Sequence, residues 1–364
     1  MRILDRYIFR EVFSTFMFGI CAFSVVFIGS GTLFRIAQFI TEYGASFSSV
    51  LKIFVFSLPG IVIWTFPMSM LLGSLLAFGR LSASSEITAM KSCGISFLRI
   101  SMPALLLGFF VSVFALWFNE YIVPWSNTAY RNVVYYEIEG NTSPESQEHI
   151  VIKDISDGKI NRLIYARRYD QTTQRMEGVS LQLFSNGKAT HVEDAEYAEW
   201  QGTQWTMYNG TIYDIPAPGT GASHHVMKFD TQVLPVHESP RDIVRAQKRL
   251  DEMTIRELNQ QIKILAEKFV NTRKIEAEYY QRFTVPFASF LFTLIAVPLG
   301  VQPTRSSSSR GFAVSIIVIF FYYALMTMNS ALAQGGVVPA IIAVWIPNII
   351  CFFVGMYLMR RASR

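Results

Sequence analysis

The chain has 364 residues, of which 51% are hydrophobic and 16% charged, with a mean hydropathy of +0.30 and a formal net charge of +5 at pH 7. Soluble globular chains are about 45–50% apolar, so the excess here is modest and indicates that part of the chain is ordinary water-soluble material. The cysteines, Cys21, Cys93 and Cys351, predict neither a disulfide nor a zinc site, because all three lie in or beside apolar stretches.

Long stretches without Asp, Glu, Lys or Arg predict membrane-spanning helices. A span needs roughly 20 apolar residues, and it must be helical because lipid offers no partner to backbone N–H and C=O groups. The charge-free run from Gly311 to Met359 is long enough for two spans, with a turn at Gln334, Gly335 and Gly336. Four shorter runs supply one span each. The six helices are predicted near residues 12–34, 50–79, 95–119, 281–301, 311–333 and 337–359.

A polar segment of residues 80–94 joins the second and third predicted helices and is compatible with a short helix of its own. Glu86 falls in its first turn, where a carboxylate suits the positive end of the helix dipole. From the residues alone, Glu86 is more simply a solvated cap than a contact for a partner.

Between the third and fourth helices, apolar and polar residues alternate as in half-buried strands, which predicts an inserted all-β domain over residues 123–240. Asp157-Gly158, Asn186-Gly187 and Asn209-Gly210 supply turn residues that tolerate positive φ. The segment from Glu120 to Arg249 holds 17 acidic and 13 basic residues, and a net charge of −4 argues against nucleic acid as a partner. Six strands are predicted, in a sandwich or open barrel, at 150–155, 162–169, 179–184, 191–200, 203–213 and 224–234.

All five histidines fall in this domain, but they do not predict a metal site. His224 and His225 are adjacent, and adjacent residues of a strand point to opposite faces. Neither G-x-S-x-G nor H-E-x-x-H occurs, so no catalytic residue is predicted. The domain is followed by an amphipathic helical connector over residues 241–280. Residues 1–122 and 281–364 then form the two halves of the membrane part.

The short loops predict the orientation. Basic residues precede the first helix, lie between helices two and three and between four and five, and follow helix six. With six spans these segments share one side, which the positive-inside rule makes cytoplasmic. Both termini are then cytoplasmic and the β domain is periplasmic.

One segment is more specific than hydropathy. Residues 66–96 read FPMSMLLGSLLAFGRLSASSEITAMKSCGIS: a proline-marked helix with small residues, a polar segment, and a glycine before the next helix. Together with LDRYI at residues 4–8 and VPLG at 297–300, this resembles the LptF/LptG family of permease subunits of the lipopolysaccharide export ABC transporter. The order of three helices, a β domain and three helices also resembles that family, and the ITAMKSCG segment leans slightly toward the LptF type.

The resemblance implies the partners and the source of energy. It implies a second LptF/LptG-type permease, which is either a different chain or a second copy of this one. It also implies a dimer of cytoplasmic ATPase subunits, an LptC-like partner with one membrane helix and a jellyroll, a periplasmic bridge protein, and lipopolysaccharide as cargo. The inserted domain is then a β-jellyroll. The chain has no G-x-x-x-x-G-K-[ST] motif, so it binds no cofactor itself, and ATP and Mg are used by the partner ATPase.

The resemblance also gives candidate site residues. The polar segment becomes an ATPase-coupling helix, with Arg80, Ser85, Glu86 and Met90 as its contacts. Arg35 at the end of helix one and Lys52 at the start of helix two are candidates for lipopolysaccharide phosphates; the alternative for both is interfacial snorkelling. Apolar residues of the β domain would line a groove for acyl chains, unless they form a plain packed core. These are Ile152, Ile164, Leu181 and Leu183.

Two other functions stay open at this stage. A self-powered lipid or solute transporter usually needs ionisable residues inside the membrane, and the predicted spans have none. A membrane-anchored enzyme would need a supported catalytic constellation, and no such arrangement is visible.

Overall fold

The computed structural model describes residues 3–138, 146–156, 159–170, 173, 175–185, 188–202, 204–214, 226–234, 248–267, 271–301 and 308–363. The chain divides into two compact units. The helical unit comprises residues 1–138, 250–259 and 272–364, and the β unit comprises residues 139–249 and 260–271.

The six predicted membrane helices are confirmed, since six helices are long and apolar enough to cross a membrane. Two shorter helices accompany them: α3, before the third span, and α5, after the sheet. In chain order the helices are α1 Ile3–Tyr43, α2 Phe47–Ala83, α3 Glu86–Ser92, α4 Phe97–Ile138, α5 Ile255–Glu267, α6 Arg273–Gly300, α7 Ser308–Gln334 and α8 Ala340–Ser363.

The helices run past the apolar stretches that predicted them. At 1.5 Å per residue, the 41 residues of α1 extend about 60 Å, twice the hydrocarbon thickness of a bilayer. Arg35 therefore does not end the first helix; α1 continues to Tyr43 and stops at Gly44, whose φ of 63° is left-handed. A charge marks the end of the apolar stretch, whereas a capping signal marks the end of the helix.

For the same reason, the β domain begins later in the chain than the sequence predicted. Residues 123–138, assigned to that domain from the sequence, are helical and complete α4, and the first described strand begins at Ser146. Likewise α6 begins at Arg273, inside the predicted connector. The connector helix α5 is preceded by a reciprocal cap: the Thr254 N–H donates to Glu257 Oε2 (2.9 Å), and the Glu257 N–H donates to Thr254 Oγ1 (3.2 Å).

Helices α1 and α2 pack backbone to backbone at Gly73, which belongs to the segment of residues 66–96. A Cβ at Gly73 would lie 2.8 Å from the Phe16 nitrogen, so no larger residue fits without moving a helix. Thr15 Oγ1 donates to the Gly73 carbonyl at 2.8 Å. Small residues permit this close approach, which is the usual basis of helix association in lipid.

The β unit contains one six-stranded antiparallel sheet, and all six predicted strands are confirmed. The strands lie in chain order, with β1 and β6 at the two edges. An eight-stranded jellyroll interleaves its strands, whereas the described strands form a meander. They are β1 Ser146–Ser156, β2 Lys159–Asp170, β3 Arg175–Ser185, β4 Lys188–Trp200, β5 Trp205–Asp214 and β6 Val226–Leu234.

A line of distortion crosses the middle of this sheet. Gly178 in β3 and Asn209 in β5 have positive φ values of 60° and 53°. Along β4 the buried positions change from odd to even numbers at this line, with Ala195 before it and Ala198 after it. The predicted turn at Asn209-Gly210 is thus wrong in place: Asn209 does adopt positive φ, but it kinks β5. Asp157-Gly158 and Asn186-Gly187 lie outside the described residues, between strands that end and begin beside them.

One side-chain contact shows that the sheet bends strongly. Gln232 Nε2 in β6 donates to Glu193 Oε2 in β4 at 3.0 Å. Glu193 aligns through β5 with Met227, five residues before Gln232. In a flat sheet the two Cα atoms would be about 19 Å apart, beyond the reach of both side chains. The sheet therefore folds over its own buried face.

Candidate functional site

Helix α3 lies at one end of the helical unit, together with the beginning of α1 and the end of α8. The Arg99 and Asp5 side chains form an ion pair at 2.8 Å, and Lys91 Nζ donates to the Ala362 carbonyl at 2.9 Å. We call this end the basic end, after the cations that it gathers. The predicted even number of spans requires the start of α1, the region of α3 and the end of α8 to lie at the same end, and the structure places them there. The cations are Arg80, Lys91, Arg99, Arg360 and Arg361.

Glu86 holds the start of α3 against α1. Its Oε2 accepts a hydrogen bond from the Tyr7 hydroxyl at 2.9 Å, and its Oε1 accepts one from Ser84 Oγ at 2.8 Å. Ser85, with φ of 63°, makes the sharp entry into the helix. The predicted place of Glu86 in the first turn is confirmed. The carboxylate is more than a solvated cap, because it bonds a residue 79 positions away.

The two faces of α3 differ. Ile87 is 2% exposed and packs in the helical core, with Met90 half-buried beside it. Thr88, Ala89 and Ser92 are exposed on the other side. Lys91 also lies 5.0 Å from the Phe97 ring centroid. Helix α3 is thus tethered at both ends and presents one exposed polar face.

The other predicted coupling residues surround α3. Ser85 is exposed, and Arg80 keeps most of its side chain in solvent while its Nε lies 3.0 Å from Glu11 Oε1. The structure thus brings all four predicted coupling residues to the basic end.

The two basic residues predicted to bind phosphate have different surroundings. Lys52 Nζ lies 2.7 Å from Glu137 Oε1, and Ser49 Oγ donates to Glu137 Oε2 at 2.7 Å. Lys52 is therefore already neutralised by an acid from the end of α4. Arg35 is exposed and makes no ion pair within the described part of the chain. Arg35 remains the better candidate for an external anion.

Three of the four apolar residues predicted to line a groove, Ile164, Leu181 and Leu183, point into the interior of the β unit. Ile164 and Leu181 are backbone partners in neighbouring strands, and they are 3% and 1% exposed. Leu183 is half-buried against the same cluster. Ile152 lies opposite Ile164 in the sheet register, but its side chain is outside the described residues. The cluster is closed in this state, so acyl chains would need it to open.

Aromatic residues anchor this interior. Trp205 and Tyr169 are fully buried and stack edge to face, with ring centroids 6.1 Å apart. Burial raises the pKa of the Tyr169 phenol, so it stays neutral inside the sheet. The sequence analysis did not single out this pair.

The histidine side chain that the structure describes belongs to a pair with an acid. His191 contacts Asp214 across the β4–β5 pairing. The His149, His224, His225 and His237 side chains lie outside the described residues. Among the side chains that are described, no group of three or more His, Cys, Asp or Glu residues is placed to hold a metal ion.

One buried charge was missed from the sequence. The prediction that the spans hold no ionisable residue is wrong at Arg282, which lies in α6 and is 5% exposed. Its Nη1 lies 3.2 Å from Asn119 Oδ1, and its Nη2 donates to the Leu250 carbonyl at 2.9 Å. Arg282 directly precedes the charge-free run that begins at Phe283, at the edge of the predicted helix 281–301, and the hydropathy pattern did not indicate that its charge is buried.

These features define a polytopic membrane permease: six spans, a tethered helix at the basic end, and a β domain built into the middle of the chain. The chain belongs to the LptF/LptG family of lipopolysaccharide export system permeases, whose model matches residues 6–361. The family resemblance and a multi-pass inner-membrane location are thereby confirmed.

Individual relatives agree with this assignment. The chain is 22% identical to the lipopolysaccharide export system permease protein LptG of Haemophilus influenzae, covering 98% of each chain. It is 22% identical to LptG of Escherichia coli K12 over 99% of each chain. It is 20% identical to Escherichia coli K12 LptF, over 96% of this chain and 92% of the relative. These similar identities do not support the lean toward the LptF type.

Proposed function

We propose that the chain is the membrane permease subunit of an ATP-driven exporter, which extracts lipopolysaccharide from the inner membrane and passes it through its β domain toward the outer membrane. The observation that carries this proposal is that one family match spans the helices, α3 and the inserted sheet together. The relatives' names specify lipopolysaccharide export. The chain has no phosphate-binding loop, so a separate dimer of ATPase subunits supplies the energy.

The contacts of α3 support its role as the coupling element. Glu86 ties it to α1 and Lys91 ties it to the end of α8. Displacement of α3 by an ATPase would therefore pull on two membrane helices at once. The exposed face of Thr88, Ala89 and Ser92 is the proposed docking surface.

The edges of the sheet support passage to further β partners. Strand β6 is an edge strand, and Val226, Met227 and Val233 on it are at least half exposed. An apolar edge of this kind is suited to strand addition. A jellyroll of an LptC-like single-helix partner, or of a periplasmic bridge protein, would continue the sheet there. A second permease of the same family would complete the membrane part.

Thiol labelling tests the proposed orientation, with the basic end cytoplasmic and the β unit periplasmic. Cys93 is exposed beside α3, and Thr231 is exposed on β6. In a background lacking Cys21 and Cys351, an impermeant maleimide should label a Thr231→Cys variant, but not Cys93, from the periplasmic side. Inverted vesicles should expose Cys93 instead. The opposite pattern in both preparations would overturn the orientation.

Lipopolysaccharide release by the reconstituted complex tests both the function and Arg35. Arg35→Gln should lower lipopolysaccharide affinity about tenfold, because charge-assisted hydrogen bonds contribute about 1.5–3 kcal/mol. Arg35→Glu should lower it further by repelling the phosphates. Lys52→Gln is the control and should leave affinity near normal while slightly lowering thermal stability, since it removes the ion pair with Glu137 and leaves only the Ser49 hydrogen bond.

Equal and near-normal affinity in both Arg35 variants would leave this residue as an interfacial anchor. No ATP-dependent release by the wild-type complex would contradict the exporter itself.

Arg282 does not favour the alternative of a self-powered transporter. A coupling group must take up and release an ion, whereas arginine stays protonated at physiological pH. Its guanidinium donates hydrogen bonds to Asn119 and Leu250 of the same chain.

A further inference from the structure

A cavity of about 280 Å³ lies in the helical unit, between α2, α4, α6 and the segment that precedes α5. Its lining is apolar on the α2 side and polar on the opposite side. The lining residues that matter here are Trp64, Asn119, Asp251, Glu278, Gln281 and Arg282. This volume is sufficient for a small headgroup, and none of these residues belongs to the coupling or phosphate sites described above.

Arg282 has unused binding capacity in this cavity. Its two terminal nitrogens bond Asn119 and Leu250. Its Nε has no hydrogen-bond acceptor among the described residues, although Glu278 Oε1 lies 3.6 Å away as a longer ion pair. This Nε is itself buried, and a buried charged donor without an acceptor is unfavourable, so a ligand oxygen that inserts between Nε and the partly exposed Glu278 carboxylate would be stabilised.

The charges of the lining restrict that ligand. Glu278 contributes a carboxylate directly beside the guanidinium of Arg282. A lone phosphate at Arg282 would be repelled by Glu278, and a lone ammonium at Glu278 would leave Arg282 Nε unsatisfied. A zwitterion satisfies both requirements, with its phosphate at Arg282 and its ammonium at Glu278.

The position of the cavity indicates a lipid. Arg282 directly precedes the charge-free run 283–301 of α6, so it lies at the boundary of the apolar span. Trp64 lines the same cavity from within the charge-free run 53–79 of α2, so the cavity also borders the apolar part of the unit. A headgroup that enters here could keep its acyl chains alongside the helices.

We infer that this cavity binds the phosphoethanolamine headgroup of a membrane phospholipid, held between Arg282 and Glu278. This lipid is separate from the exported cargo, and the inference does not depend on the proposed function. Choline should bind less well because its quaternary nitrogen has no N–H to donate. Phosphatidylglycerol lacks the cation altogether.

Lipid competition on the purified full-length chain tests this inference. The chain would be equilibrated with equal amounts of phosphatidylethanolamine, phosphatidylcholine and phosphatidylglycerol, and retained lipid would be counted by native mass spectrometry. One phosphatidylethanolamine should be retained per chain, with about tenfold preference over either competitor. Equal retention of the three lipids would overturn the inference.

Two glutamate variants on α6 make the test specific. Glu278→Gln is isosteric at a side chain that is 35% exposed, and it should reduce phosphatidylethanolamine retention about tenfold. Glu276→Gln, on the same helix but outside the cavity lining, should retain the lipid normally. Wild-type retention by Glu278→Gln, with unchanged thermal unfolding, would contradict the assignment.

Soluble competitors separate the headgroup from its phosphate. Soluble phosphoethanolamine should displace the lipid, whereas inorganic phosphate at the same concentration should not. Displacement by inorganic phosphate would show that the site recognises only an anion, which would overturn the zwitterionic ligand.

Discussion

Glu86→Ala is expected to leave the chain folded but to lower lipopolysaccharide-coupled ATP hydrolysis about tenfold. The substitution removes the hydrogen bonds from Tyr7 and Ser84, and a charge-assisted hydrogen bond contributes about 1.5–3 kcal/mol. At 1.4 kcal/mol per factor of ten, losing one of them is sufficient for that change. Complex recovery and ATPase rate, measured with and without lipopolysaccharide, would report it.

A second variant separates two ways in which Glu86 could act. Tyr7→Phe removes only the hydroxyl that donates to Glu86. If Glu86 works by holding α3 against α1, Tyr7→Phe should reproduce most of the loss. If Glu86 instead contacts the ATPase directly, Tyr7→Phe should be close to normal.

Glu42→Ala is the matched control. Glu42 accepts hydrogen bonds from Gln38 near the far end of α1 and should not affect coupling. Normal complex recovery together with normal coupled hydrolysis in Glu86→Ala would exclude a role of Glu86 in coupling α3 to the ATPase.

Photo-crosslinking at Leu181 is expected to capture lipopolysaccharide only while the complex hydrolyses ATP. Leu181 is 1% exposed and packs with Ile164 inside the bent sheet, so cargo can reach it only after the sheet opens. A diazirine analogue of leucine keeps the volume of the side chain and avoids the cost of overpacking. Adduct yield should rise several-fold on addition of ATP.

Exposed positions of the same unit provide the comparison. Val226 and Met227 are 57% and 56% exposed on β6, and adducts there should not depend on ATP in the same way. Capture at β6 alone would favour a packed interior that never opens. ATP-independent capture at Leu181 would indicate an interior that is permanently accessible.

The hydrogen bond from Gln232 to Glu193 would oppose this opening of the sheet. It joins β4 to β6 across the bend and is buried at Glu193, which is 5% exposed. Sheet opening must break it, and Gln232→Leu would leave the carboxylate buried without that donor. The free energy of unfolding of the β unit should fall accordingly.

Local patterns in the sequence predicted the main elements correctly. Charge-free runs located six spans, because lipid penalises every buried charge and every unpaired backbone group within about 20 consecutive residues. Alternation located six strands for a similar reason, since a pleated strand puts neighbouring residues on opposite faces. The polar segment between the second and third spans also predicted α3 and the place of Glu86 in it.

The candidate site was predictable only in part. The sequence singled out Glu86, Arg35 and Lys52 as individual residues, but it did not predict which side chains contact them. Lys52 pairs with Glu137, 85 positions away, which makes it a structural ion pair. Arg35 has no such partner in the described chain, and its role in phosphate binding stays a prediction. The difference between these two cations depends on where α4 ends, and α4 extends beyond its apolar stretch to Ile138.

By itself, then, the sequence determined the family, the number of spans, the strands and the position of α3, because each depends on residues close together in the chain. Only the tertiary structure decided which charges are neutralised, that Asn209 kinks a strand, that the sheet bends until Gln232 meets Glu193, and that Arg282 is buried beside a cavity. Those features depend on contacts between residues far apart in sequence, whose free energies are set by packing and which no local pattern encodes.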